Sequence, residues 1–127
     1  MATSETILCV DDNPRNLLIL RELLSDDYHL NCATTGEEAL SAVRLERPAM
    51  VLLDVMLPGV SGFDVCKSLR ADPKTADIPI VLVTAKARDE EKKLGLDAGA
   101  DAYLVKPFDP DALLDLVETY FPGRMGA

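Results

Sequence analysis

No stretch of the 127 residues approaches the ~20 consecutive apolar positions that cross a bilayer, so no membrane span is expected. The N-terminus lacks a positive region followed by an apolar stretch, which argues against a secretory signal and for a cytoplasmic protein. Positive charge is in deficit: 13 basic against 22 acidic residues leave a net charge of −9. The average field of such a chain repels a polyanion, so direct nucleic-acid binding by this segment is not expected. His29 has no partner at metal-ligand spacing, and no internal phosphohistidine role is expected of it. Cys9, Cys32 and Cys66 are an odd set at wide, irregular spacing with no C-x-x-C pair. Each lies beside apolar residues, so buried reduced thiols are expected rather than a zinc site.

What is present suits one domain. Apolar residues make up 48 % of the chain and charged residues 28 %, enough for one core under an ordinary charged surface. No internal repeat, low-complexity tract or linker interrupts it. A single domain over 5–121 followed by a short tail, 122–127, is expected.

Five short apolar runs, 7–10, 29–34, 50–53, 80–84 and 102–105, read as strands. The first, third and fourth are almost continuous in Val, Ile and Leu, as parallel strands covered on both faces require. The second is the most polar and reads as an edge. Helical periods fill the gaps. Asn13 and Pro14 open a helix with Leu17, Leu20 and Leu24 on one face. Thr35 and Glu38 form a capping box ahead of Ala39, Leu40 and Val43. Ser61 caps a third helix carrying Phe63, Cys66, Leu69 and Arg70, which ends at Asp72-Pro73. Asp109 and Pro110 open the last, with a stripe of Leu113, Leu114, Val117, Tyr120 and Phe121. The fourth helix, near 89–98, has only Leu94, Leu96 and Ala98 as apolar anchors, so it gains little from burial and shifts at low cost. The polar run 72–77 reads as a solvated loop.

Strand–helix alternation throughout implies a parallel sheet with helices on both faces, and ligands of such sheets bind beyond the carboxyl ends of the strands. Those ends carry Asp11 and Asp12, Asp54, Thr84 and Lys106. Any one has an ordinary explanation as a helix cap or turn residue. Together they are harder to dismiss: three carboxylates brought within several Å repel unless partly protonated or joined by a cation. An oxygen-only set of that kind suits Mg²⁺, which keeps some of its waters and works beside phosphate.

The segments V-D-D-N, L-L-D-V-M-L-P-G-V-S-G, V-T-A and Y-L-V-K-P-F, in order over roughly 5–121, resemble the receiver domains of two-component response regulators. The resemblance implies a flavodoxin-like doubly wound (βα)5 α/β fold with strand order 2-1-3-4-5. It implies a signalling switch rather than a metabolic enzyme, one that promotes its own phosphotransfer and dephosphorylation. Asp54 would accept a phosphoryl group from a phosphohistidine on a sensor histidine kinase or phosphotransfer protein. Mg²⁺ would be bound by Asp12 directly, by Asp11 mostly through water, by Asp54, and by the backbone carbonyl of Met56. Lys106 would neutralise the phosphoryl group, aimed inward by a cis bond to Pro107. Thr84 would move toward the phosphoryl group and Tyr103 into the space it leaves, shifting the face made by the fourth helix, fifth strand and fifth helix. Met56 and Lys86 occupy positions that modulate phosphoryl lifetime, and the long 72–77 loop is similar to that of receivers attached to cyclases or hybrid kinases. Many such domains pair through that face when phosphorylated, but the residues assign no oligomeric state, effector, kinase or pathway, and do not distinguish a stand-alone protein from part of a longer regulator.

Rival classes fit less well. A haloacid-dehalogenase-like phosphatase needs D-x-D-x-[TV] after the first strand, where this chain has D-D-N-P. A flavin or nucleotide binder needs a phosphate-cradling loop there, and Asp11-Asp12 would repel the phosphate. A phosphorylation-independent interaction module would not need all five polar positions.

Overall fold

The computed structural model describes residues 5–85, 89–106 and 109–120. Strand and helix alternate as β1 (Thr6–Val10), α1 (Pro14–Leu24), β2 (His29–Ala33), α2 (Gly36–Leu45), β3 (Met50–Asp54), α3 (Gly62–Ala71), β4 (Ile80–Thr84), α4 (Asp89–Asp97), β5 (Ala102–Val105) and α5 (Pro110–Tyr120). The strands form one parallel sheet in the order β2-β1-β3-β4-β5. Every residue of β3 and β4 is buried, which is why those segments read as unbroken apolar runs. The more polar β2 lies at one edge.

Period-two alternation divides the strands between two cores. Ile7, Cys9, Met50, Leu52, Val81 and Val83 point to the face covered by Leu20 and Leu24 of α1 and Leu113 and Val117 of α5. Leu8, Val10, Val51, Leu53, Ile80 and Leu82 point to the other, under Ala39 and Val43 of α2, Val65, Cys66 and Leu69 of α3, and Ala98 just after α4. The strand order turns back between β1 and β3, so the crevice beyond their carboxyl ends opens where consecutive connections leave to opposite faces.

The caps form as the sequence indicates. The Asn13 side chain accepts from the Arg15 amide, Thr35 from the Glu38 amide and Ser61 from the Asp64 amide. Glu38 completes its box one residue early, accepting from the amide and hydroxyl of Thr34, and these bonds hold its carboxyl below the ordinary range.

Three expectations need correction. Leu94 and Leu96 do not anchor α4: they are 50 % and 70 % exposed. The helix instead meets the sheet through Gly95, with Ala98 buried just beyond its end, and a Cβ at Gly95 would stand 2.8 Å from the Tyr103 ring and 2.9 Å from Leu82. Hydropathy could not foresee that α4 turns its smallest residue inward. Cys32 is exposed, because an edge strand is covered on one side only in part. Within the 72–77 loop Thr75 is buried, its hydroxyl donating to the Leu69 carbonyl. The expectations for Lys86, Pro107, Phe121 and 122–127 lie outside the described residues.

Candidate functional site

The register of the central strands assembles the site. Val10 pairs with Leu53, so the residues that follow, Asp11 and Asp54, stand side by side. Asp54 is the last residue of β3 and is buried, as is Asp11, while Asp12 is exposed. One carboxylate oxygen from each of these three residues lies within 4.8 Å of the others.

Asp11 is held on both oxygens. Its Oδ1 accepts the Asn13 amide at 2.9 Å, a local turn that leads into α1. Its Oδ2 accepts the Asn16 side chain at 3.1 Å and the Lys106 ammonium at 2.8 Å. Asn16 was not singled out from the sequence; its spacing, five after Asp11 in the first turn of α1, is the signal that could have found it.

Asp54 is divided in the same way. Oδ1 accepts the Met56 amide at 3.1 Å, and Oδ2 accepts Lys106 Nζ at 3.0 Å. Burial raises its carboxyl above the ordinary value and the neighbouring Asp11 charge adds to the rise, against the pull of Lys106 and the Met56 amide. For Lys106, burial disfavours the charge, but the hydrogen bonds and charges of Asp11 and Asp54 outweigh it and hold the ammonium above the ordinary lysine value. One cation thus serves two buried carboxylates, and Asp12 adds a third nearby.

The Asp54 backbone is pressed from below. Gly62 opens α3 so close to β3 that a Cβ there would lie 2.2 Å from the Asp54 carbonyl oxygen and 2.8 Å from Val55 Cα. Only a residue without a side chain permits that approach.

Thr84 ends β4 fully buried, one residue beyond Val83, the register partner of Asp54. Its hydroxyl lies 3.4 Å from a carboxylate oxygen of Glu91 in α4. Nothing in the sequence marks Glu91 out from the other charges of that helix. Tyr103 on β5 pairs in register with Leu82, and its hydroxyl oxygen is enclosed with no hydrogen-bond partner among the described residues. Burial raises its phenol above the ordinary value, and the Glu91 charge adds to the shift. The structure therefore brings Asp11, Asp12, Asp54 and Lys106 together, with Met56 attached through its backbone. Thr84, Glu91 and Tyr103 form a neighbouring line toward α4 and β5.

Known proteins share this fold. The response regulator receiver domain model matches residues 7–118. The chain is 45 % identical over 111 residues to the DNA-binding response regulator MtrA of Mycolicibacterium smegmatis, covering 87 % of this chain and 47 % of that protein. It spans about half the length of the MtrA relatives it matches. The chemotaxis protein CheY4 of Vibrio cholerae superposes with a TM-score of 0.87 at 31 % identity, over 94 % of this chain and 99 % of that one. The receiver domain of the sensor histidine kinase PA1611 from Pseudomonas aeruginosa, whose structure has a magnesium ion in the active-site cleft, gives 0.85 at 28 % identity, over 93 % and 98 %. With its β2-β1-β3-β4-β5 sheet and an acid cluster at the switch point, the chain belongs to the response regulator receiver family, a signalling domain of two-component systems.

Proposed function

We propose that this domain takes a phosphoryl group onto Asp54 from a phosphohistidine of a sensor histidine kinase or phosphotransfer protein, in a Mg²⁺-dependent reaction. The observation that carries the reading is the charge imbalance: Asp11 and Asp54, both buried, share the single ammonium of Lys106, with Asp12 in the same cluster. A hard divalent cation relieves that imbalance, and the donors are all oxygens, as Mg²⁺ prefers. Asp11, Asp12, Asp54 and the Met56 carbonyl would hold it. When bound, it supplies positive charge to the phosphoryl oxygens.

The chain's own residues do the rest. The Met56 amide and Lys106 fix the two Asp54 oxygens, so the carboxylate is oriented before a donor arrives. A carboxylate oxygen attacks phosphorus while the P–N bond breaks and its electron pair leaves with the imidazole. Phosphoryl transfer spreads charge over three oxygens, and Lys106 neutralises it on one side. The Thr84 hydroxyl then donates to a phosphoryl oxygen, leaving Glu91, and Tyr103 repacks beside it. The signal leaves through α4, β5 and α5, where Leu94, Leu96 and Val105 are exposed.

The working unit is 5–121. No described helix is long and apolar enough to cross a membrane, and a cytoplasmic location accords with the kinase partner. DNA binding belongs by name to MtrA; for this acidic segment the partners proposed are the kinase and an effector protein or domain.

Acetyl phosphate with Mg²⁺ tests the reading. The parent gains the mass of one phosphoryl group, the gain disappears with EDTA, and Asp54→Asn gains nothing. Equal labelling of the Asn variant would remove Asp54 as acceptor, and no labelling of the parent, with no beryllofluoride binding, would leave a phosphorylation-independent module.

A further inference from the structure

Cys9 and Cys32 are register partners on adjacent parallel strands, β1 and β2. Neighbouring strands lie ~4.8 Å apart, inside the roughly 4.4–6.8 Å window of Cα separations that a disulfide spans. The side chains share a face. Cys9 belongs to the core under α1 and α5, and Cys32 is reached from α1 by the Arg21 guanidinium, whose Nη2 lies 3.4 Å from its sulfur.

The two thiols differ in access. Cys9 is fully enclosed, whereas Cys32 is exposed. An oxidant in solution therefore meets Cys32 first, with the Arg21 guanidinium beside the sulfur to assist the departing oxygen. The remaining cysteine cannot compete: Cys66 is buried in the opposite core, its thiol donating to the Ala98 carbonyl.

We propose that Cys9 and Cys32 are a peroxide-responsive thiol pair that closes a reversible disulfide between β1 and β2. In the first step the Cys32 sulfur attacks a peroxide oxygen and the O–O bond breaks. The departing oxygen leaves as hydroxide or alkoxide and takes up the thiol proton, leaving a sulfenic acid. In the second the Cys9 sulfur attacks the Cys32 sulfur, the S–OH bond breaks, and the hydroxide combines with the Cys9 proton as water. Two thiols lose two electrons and two protons, and the peroxide is reduced to water, or to an alcohol and water. The new bond ties β1 to the edge strand two residues ahead of Asp11.

The test treats the folded parent protein with hydrogen peroxide, blocks the remaining thiols by alkylation, and maps linkages in a non-reducing digest. The expected result is a Cys9–Cys32 linked peptide from monomeric protein, reversed by dithiothreitol, with Cys66 alkylated. In Cys9→Ser the oxidation stops at a Cys32 sulfenic acid that dimedone captures, and in Cys32→Ser Cys9 stays reduced. The proposal is overturned if the parent keeps all three thiols at a peroxide level that oxidises glutathione, or if the linkage found joins Cys32 to Cys32 of a second chain.

Discussion

The Lys106 ammonium is divided between two acids, with Nζ 2.8 Å from Asp11 Oδ2 and 3.0 Å from Asp54 Oδ2. Its side chain is 17 % exposed and the acids are 3 % and 4 % exposed, so this is an ionic cluster removed from water rather than a surface pair. Such a cluster is costly to break, because the acids left behind cannot regain full hydration.

Lys106→Ala therefore has two separable effects. Without Mg²⁺ it destabilises the fold by about 2 kcal/mol, the scale of leaving buried charged groups without their donor. Saturating Mg²⁺ recovers part of that loss. The rate of labelling by acetyl phosphate falls by ~10²-fold even with Mg²⁺ saturating, as expected when a charge-stabilising donor is lost. Urea titrations with and without Mg²⁺, beside a labelling time course, check both.

Asp54→Asn should raise the stability of the metal-free protein by about 1 kcal/mol at neutral pH while removing phosphoryl acceptance. The sign follows from the raised Asp54 carboxyl. A group whose folded value exceeds its unfolded one binds protons more readily in the folded state. The cost of ionising it in place is thus fully present above the folded value and disappears as pH falls below the unfolded one. The excess stability of the Asn variant should shrink as pH is lowered through the carboxylate range, and Mg²⁺ should stabilise the parent more than the variant. Denaturation midpoints across pH settle it; a variant less stable than the parent at every pH would show that Lys106 outweighs the burial cost.

Strand segments were legible because β1, β3 and β4 are buried on both faces, which leaves a continuous apolar signature. The cluster was legible because Asp11, Asp54 and Lys106 each follow an apolar run directly, and parallel topology carries all strand ends to one rim. Contacts across helix faces were not legible. Glu91 reaches Thr84 and Gly95 reaches Tyr103 through the rotation of α4, and five consecutive charges followed by scattered leucines carry no record of which side faces inward. Cys32 departs from expectation for a related reason: Leu30 on the same face is covered and Ala33 packs on the other, but the edge strand leaves Cys32 itself open, and residue type does not record where the cover ends.

Glu91→Ala tests whether the helix carboxylate competes with the phosphoryl group for Thr84. The Thr84–Glu91 contact is long, at 3.4 Å, and is worth no more than an ordinary hydrogen bond of about 1 kcal/mol. Releasing it, and removing a negative charge from beside an incoming anion, should tighten beryllofluoride binding about fivefold. The Tyr103 phenol should also shift toward its ordinary value without reaching it, since burial, the larger cause, remains. Unchanged binding in a beryllofluoride titration would show that Glu91 plays no part in the switch.

Gly62→Ala probes the floor beneath Asp54. The added methyl meets backbone at 2.2 Å and 2.8 Å, with no flexible side chain to yield, so β3 and α3 must separate. A loss of about 3 kcal/mol is expected, at the upper end of overpacking costs. Mg²⁺ affinity should fall as well, because the strand end that aims Asp54 moves. Gly59→Ala, where the nearest atoms belong to the Glu37 side chain, is the comparison: its cost comes from a positive φ of 76°, and it should leave Mg²⁺ affinity within twofold.

Arg70 clamps the segment that follows α4. Its guanidinium donates to the carbonyls of Gly99 at 2.8 Å, Ala76 at 3.0 Å and Ile78 at 2.6 Å, and pairs with Asp101 at 2.6 Å. The same Asp101 oxygen accepts the Ile80 amide at 2.8 Å, so one side chain joins α3, the entry to β4 and the turn between α4 and β5. The other end of α4 has no comparable clamp among its described contacts, only the long approach of Glu91 to Thr84. Arg70→Met keeps the aliphatic packing and removes the donors, which should cost about 2 kcal/mol. Hydrogen exchange distinguishes a local hinge from general weakening. Amides of Ala98, Gly99 and Asp101 should exchange faster beyond the global loss of stability, while those of β1 and β3 follow the global loss alone. If all amides accelerate together, the Arg70 cluster is an undivided part of the core and α4 has no fixed end.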